Sequence, residues 1–230
     1  MRFLSRAILV LTFLVCTLSQ PLFSASYNCY TPLGGESGIG ALSLTPYAEV
    51  GASPFFGYSL AGINVSYGIT ANIDAILGIG YFNLSPSFNV EEMSFMPRFD
   101  LGGNNILALM LKYSATKLFV ISPQYHTMFT FDLVCLEINL KADIPVTNAK
   151  SSMIKAQMAP VVSILDGLIQ LSVEIDAAYT LGTGGGFNLD IIPGIAWNIN
   201  DKNQLFVGVP LYYVNSSLSP SIGIWYWLGI

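Results

Sequence analysis

His126 is the sole histidine of the chain and stands in SPQYHTMF, four residues after Ser122. A histidine beside a serine can relay a proton and raise a nucleophile; beside an aspartate it can activate water. Here the spacing argues against a relay between Ser122 and His126, while a serine from another strand could still approach. On an extended strand the two residues lie about 13 Å apart, too far for a proton relay. LGTGGG at 181–186 lacks the Lys-Ser/Thr that completes a phosphate-binding loop. No His, Cys and Asp cluster has zinc spacing. The reading is a protein that is not an enzyme, with no catalytic residue, no metal and no cofactor.

The charged residues carry more. In LIQLSVEIDAAY (168–179), Ile169, Leu171, Val173, Ile175 and Tyr179 fall on one parity. Gln170, Ser172, Glu174 and Asp176 fall on the other. An extended segment of this kind has one oily face and one polar, acidic face. The same parity argument collects Glu49, Asp74, Arg98, Asp100, Lys112, Glu137, Lys141, Asp143, Lys155, Glu174, Asp176 and Asp190 on polar faces. Eight are acids and four are bases. Charges on an enclosed wall are costly unless paired or wet. They are therefore expected to line water and to favour cations, or to form a salt-bridged plug. Arg98 and Lys141 are expected to face acids across the enclosed space and set a constriction.

The elements that position these residues are short and repeated. About twelve period-two segments of roughly membrane-strand length recur after the first forty residues. Tight connections such as GITAN (68–72), GGNN (102–105), Phe129–Thr130, DG (166–167) and NDKN (200–203) alternate with a set that includes longer ones. NLSPSFNVEE (83–92) and PVTNAKSS (145–152) belong to the second set. Hydrophobic residues make up 53% and charged residues 10%, against about 25% charged in an ordinary soluble domain. A soluble two-sheet sandwich needs more charge on its watered face. The composition favours an all-β, transmembrane, antiparallel up-and-down β-barrel of about twelve strands, with ten or fourteen as the alternatives. Pro46, Pro97, Pro123, Pro160, Pro193 and Pro210 fall within these strands, and bulges or kinks are expected there.

The first residues read as an export signal. Arg2 and Arg6 precede the apolar run Ala7–Leu18, and small residues follow at Ser19, Ser24, Ala25 and Ser26. The expected organisation is a cleaved signal peptide over 1–25 and a periplasmic lead-in or plug over 26–39. The barrel follows over 40–230. Losing Arg2 and Arg6 takes the nine basic residues to seven, against 14 acidic. Too few cations remain for nucleic acid. Cys29 and Cys135 also remain and leave a disulfide open.

SYGITANIDAILGIGYF (66–82) resembles a strand–turn–strand pattern of bacterial outer-membrane barrels, of the transporter-like group around the phenol-degradation proteins. At the C-terminus, Ser221, Gly223, Tyr226 and Leu228 resemble a barrel-assembly signal, with Ile230 where an aromatic is usual. The resemblance implies secretion, insertion by the barrel-assembly machinery and residence in the outer membrane of a diderm bacterium. Outer-membrane lipid, lipopolysaccharide and small solutes would be its partners. Aromatic residues near strand ends, Tyr81, Tyr113, Tyr179, Tyr213, Trp225 and Tyr226, are expected at the membrane interfaces. The expected function is passive diffusion of small hydrophilic or mildly amphipathic solutes through an acidic, cation-leaning lumen. The alternatives are a non-conducting structural or surface-interaction barrel and, further off, a barrel lipid-modifying enzyme.

Overall fold

The computed structural model describes residues 39–51, 59–83, 89–114, 118–147, 151–182, 185–200, 202–214 and 217–230. The proposed signal peptide, nearly all of the lead-in and Cys29 lie outside the described residues. Thirteen strands follow in chain order: β1 Leu42–Gly51, β2 Ser59–Thr70, β3 Ile73–Asn83, β4 Asn89–Gly102, β5 Asn105–Ser114, β6 Phe119–Phe131 and β7 Val134–Pro145. Then come β8 Met153–Ile164, β9 Ile169–Thr180, β10 Phe187–Asn200, β11 Asn203–Gly208, β12 Leu211–Val214 and β13 Ser217–Gly229. Every pairing is antiparallel, and β1 pairs with β13 to close the sheet on itself.

The closed wall has twelve positions. β11 and β12 share one of them, since each pairs with both β10 and β13. The strand expected over 204–214 is broken at Val209–Pro210. Pro210 has no N–H to give the ladder, and the break is bridged by Val209 N–H donating to Pro193 O and Ser221 N–H donating to Pro210 O.

Closure satisfies the backbone without an edge, as a lipid environment demands. The burial pattern follows from it. Along β9, Gln170, Ser172 and Glu174 are buried while Leu171 and Val173 are exposed. Leu107, Leu140, Ile154, Ile222 and Ile224 are likewise exposed on the outer surface. So much apolar area open to water would be unfavourable; against hydrocarbon it is not.

The prolines do not produce the expected bulges. Pro46, Pro97, Pro123 and Pro160 each pair with one neighbour, at Ile63, Ala75, Leu109 and Leu136. On the other side the ladder lapses and resumes in unchanged register. Phe95↔Leu111 is followed by Arg98↔Ala108, and Met158↔Ile175 by Val161↔Ser172. In an antiparallel strand a residue directs its polar groups to one neighbour only, so the missing N–H is felt on one side. Register shifts occur elsewhere, at Ala61/Ile63, Gly68/Thr70, Asp100/Gly102 and Asn198/Asn200.

Two connections also differ from expectation. β6 continues through Phe129 and Thr130, good strand formers, and turns at Asp132, whose φ is 55°. β3 and β4 extend to Asn83 and from Asn89, so the connection expected over 83–92 is shorter.

Candidate functional site

The inner wall carries the chemistry. Lys141 of β7 and Lys155 of β8 are direct cross-strand partners. Asp143 lies two residues beyond Lys141 on the same face, within 3.7 Å of Lys112 Nζ and 3.8 Å of Lys155 Nζ. Both separations exceed a hydrogen bond. The Ser122 hydroxyl donates to Asp143. Ser122 is therefore engaged away from His126, which is buried further toward the tight turns. The Lys112 and Lys155 side chains keep 22% and 29% of their exposure. Part of each side chain thus stays uncovered inside the wall.

The acids gather on the next strands. Asp176 of β9 pairs across the ladder with Asp190 of β10. Gln157 Nε2 donates to Asp176 Oδ2 at 2.8 Å, and Asn139 Nδ2 donates to Gln157 Oε1 at 2.7 Å. Glu49 of β1 accepts from Tyr212 Oη and Ser221 Oγ, each at 2.8 Å. Glu137 and Glu174 are fully buried on the inner face, with Gln157 Nε2 at 3.4 Å from Glu174 Oε1. This amide and hydroxyl framework, Asn139, Gln157, Tyr212 and Ser221 with Gln124, Gln170 and Gln204, was missed as site chemistry. Its signal was parity: these residues alternate in step with the charged ones.

Two expected roles change. Arg98 does not face an acid across the barrel. It binds Asp74 on the neighbouring strand, Nε to Oδ1 at 2.8 Å and Nη2 to Oδ2 at 2.5 Å, with both side chains fully buried. Lys141 has Gln124 and Lys155 as its cross-strand partners. Asp100 is used locally, accepting the Gly102 amide at 2.7 Å where β4 turns into β5.

The aromatics divide. Tyr113, Tyr179 and Tyr213 are exposed on the outer surface toward the strand ends away from the tight turns. Tyr226, at the other end, donates its hydroxyl to Asn203 Oδ1 at 2.8 Å. The Tyr81 side chain lies outside the described ones. Trp225 is not an interface residue. It points inward on the parity of Ser221 and Gly223 and meets Phe206 edge-on at 5.5 Å, beside Val161 and Ala196. The reason is local: Gly194, Gly208 and Gly223 are consecutive cross-strand partners, and a Cβ on any of them would strike the Phe206 or Trp225 ring. Gly223 and Ser221 thus have packing roles inside the barrel, while Tyr226 and Leu228 have the outward parity. Among the described residues no group of three or more His, Cys, Asp or Glu could hold a metal ion.

No family model and no curated protein matches the chain. Solved structures do. The chain is similar to the NanC porin at a TM-score of 0.65 and 7% identity, over 82% of this chain and 100% of that one. It is similar to an outer-membrane channel of Pseudomonas putida F1 at 0.58 and 9% identity, over 90% and 100%. A third likeness is the KdgM porin in complex with disordered oligogalacturonate, at 0.60 and 8% identity, over 82% and 99%. At such identities the likeness is one of fold. The chain has the fold of outer-membrane porin and channel barrels, which with its apolar outer surface agrees with a bacterial outer membrane. The phenol-degradation group suggested by residues 66–82 is not confirmed by these matches.

Proposed function

We propose that the protein is a passive outer-membrane channel for small hydrophilic or mildly amphipathic solutes, with a cation-leaning lumen. One observation carries this reading. Inside a closed wall, Lys112 and Lys155 both lie near one acid, Asp143, and keep 22% and 29% of their side-chain exposure. A dry interior would not hold such a cluster, because unpaired buried charge costs several kcal/mol per ion. The excess of acids over bases on the inward parity of the strands, eight to four, supports the cation preference. Passage is by diffusion, and no covalent step is invoked. Insertion by the barrel-assembly machinery, with Ser221, Gly223, Tyr226 and Leu228 as its signal, and contact with lipopolysaccharide belong to the same proposal.

The test is conductance. Purified protein in planar bilayers is expected to give discrete steps, with a reversal potential of cation-selective sign in a potassium chloride gradient. Anion selectivity overturns the charge argument, and silence in many insertions overturns the channel. A second reading, a non-conducting structural or surface-interaction barrel, is favoured by the belt of fully buried inner residues that includes Asp74, Arg98, Glu137, Asn139, Gln157 and Glu174.

A further inference from the structure

Two like-charged pairs stand side by side on the inner wall. Lys141↔Lys155 joins β7 to β8, and Asp176↔Asp190 joins β9 to β10. Like charges directly opposite on one face of a sheet are destabilising. β8 and β9 are neighbours, so exchanging one lysine with one aspartate would alternate the signs and remove both repulsions. The chain keeps them apart instead. Its cations gather on β5, β7 and β8, around Asp143. Its acids run from β9 and β10 through Tyr212, cross-strand partner of Asp190, to Glu49 on β1.

The two arcs share one level of the barrel. Lys112, Lys141, Asp176 and Glu49 each lie seven residues past the first residue of their strands, Asn105, Val134, Ile169 and Leu42. Their fields meet: Asp176 acts on Lys141, and Lys155 acts on Asp190. The amide of Gln157 holds Oδ2 of Asp176, while Oδ1 of Asp176 and Oδ1 of Asp190 take no hydrogen bond. Both of those oxygens are buried in the wall, so the acidic arc acts on a solute through its field.

We propose that this ring favours small dipolar solutes carrying a carboxylate and an ammonium in one molecule. The carboxylate end turns toward the arc of Lys112, Lys141 and Lys155, and the ammonium end toward the arc of Asp176 and Asp190, whose field the buried Glu49 extends. Opposed arcs of charge set up a field across the passage. A simple ion is drawn by one arc and repelled by the other, and a neutral solute gains from neither. A zwitterion gains from both. The inference rests on the channel reading above.

The experiment compares entry of radiolabelled 4-aminobutanoate and erythritol, a neutral solute of similar size, into proteoliposomes, with protein-free vesicles as blank. The zwitterion is expected to enter at least about threefold faster. That ratio should fall toward one at 1 M salt, where the screening length shrinks to about 3 Å. The double variant Lys141→Gln/Lys155→Gln should also bring it near one, with folding checked by heat-modifiable mobility on gels. If that variant does not fold, the salt series on the unaltered protein decides. A ratio of one while erythritol enters, or a ratio indifferent to salt, overturns the inference and leaves the channel standing. Entry of neither solute overturns both.

Discussion

Arg98 of β4 lies in register with Asp74 of β3 and grips it with two parallel hydrogen bonds, at 2.8 and 2.5 Å. Both side chains are removed from water. Forked guanidinium–carboxylate geometry is the strongest form of such a pair, and here it fastens two adjacent strands near a tight turn. Removing one partner strands the other charge inside the wall.

Arg98→Met is therefore expected to destabilise the barrel by about 3–5 kcal/mol. The double variant Asp74→Leu/Arg98→Met should recover most of that loss, because no uncompensated charge remains. Urea unfolding in detergent, followed by tryptophan emission, reads both. Equal losses in the single and double variants would show that the pair contributes more than mutual compensation.

A second prediction concerns the inward turn of Trp225. Trp197 is exposed on the outer surface, whereas Trp225 packs on Phe206 inside. In variants retaining one tryptophan, with the other two replaced by phenylalanine, brominated lipid should quench Trp197 strongly and Trp225 weakly. Strong quenching of Trp225 would return it to the membrane interface and dissolve the packing account.

The glycine row beneath those rings makes a third. Gly208 faces Gly194 on one side and Gly223 on the other, and its added Cβ would meet Phe206 and Ile192. Gly208→Val is expected to cost about 1–3 kcal/mol by overpacking. Adding Phe206→Ala should relieve the clash and recover part of the loss in urea midpoint. Unaltered stability in Gly208→Val would mean that the rings have room to move.

How much of this was readable beforehand follows from what each feature depends on. Strand parity is a property of single residues, so the oily and acidic faces of 168–179 and the twelve wall positions were visible in order of residues alone. Pairing partners depend on register, which connections set. Nothing in the order of residues shows that Arg98 meets Asp74 beside it rather than an acid across the barrel. Trp225 is instructive because its parity was legible. Ser221 and Gly223 put it inward, although aromatics near strand ends are common at membrane interfaces. The break at Val209–Pro210 was signalled by the proline, while the lapses at Pro46, Pro97, Pro123 and Pro160 without register shift needed the neighbouring strands.

The seam of the barrel supplies the fourth prediction. Glu49 on β1 accepts hydroxyls from Tyr212 of β12 and Ser221 of β13, so one carboxylate spans the closure between first and last strands. Glu49→Ala leaves two inner hydroxyls without their acceptor and should cost about 1–3 kcal/mol. Glu49→Gln keeps an acceptor oxygen and should cost less. The ordering of urea midpoints, unaltered protein above Gln above Ala, is the measurement. An alanine variant as stable as the unaltered protein would mean that the backbone ladder alone closes the wall.

The fifth prediction separates stability from permeation. Asp176 and Asp190 face each other across β9 and β10 with like charge. Neutralising one by Asp190→Asn removes that repulsion and should stabilise the barrel by about 0.2–1 kcal/mol. The same change removes one of the eight inner acids, so the reversal potential in a salt gradient should move toward zero. The two readouts are expected to shift in opposite senses, stability gained and cation preference lost. That opposition is the mark of a charge retained for passage rather than for the fold. If Asp190→Asn instead lowers stability and leaves the reversal potential where it was, the aspartate is a structural member of the wall and the acidic arc has no part in selecting what crosses it.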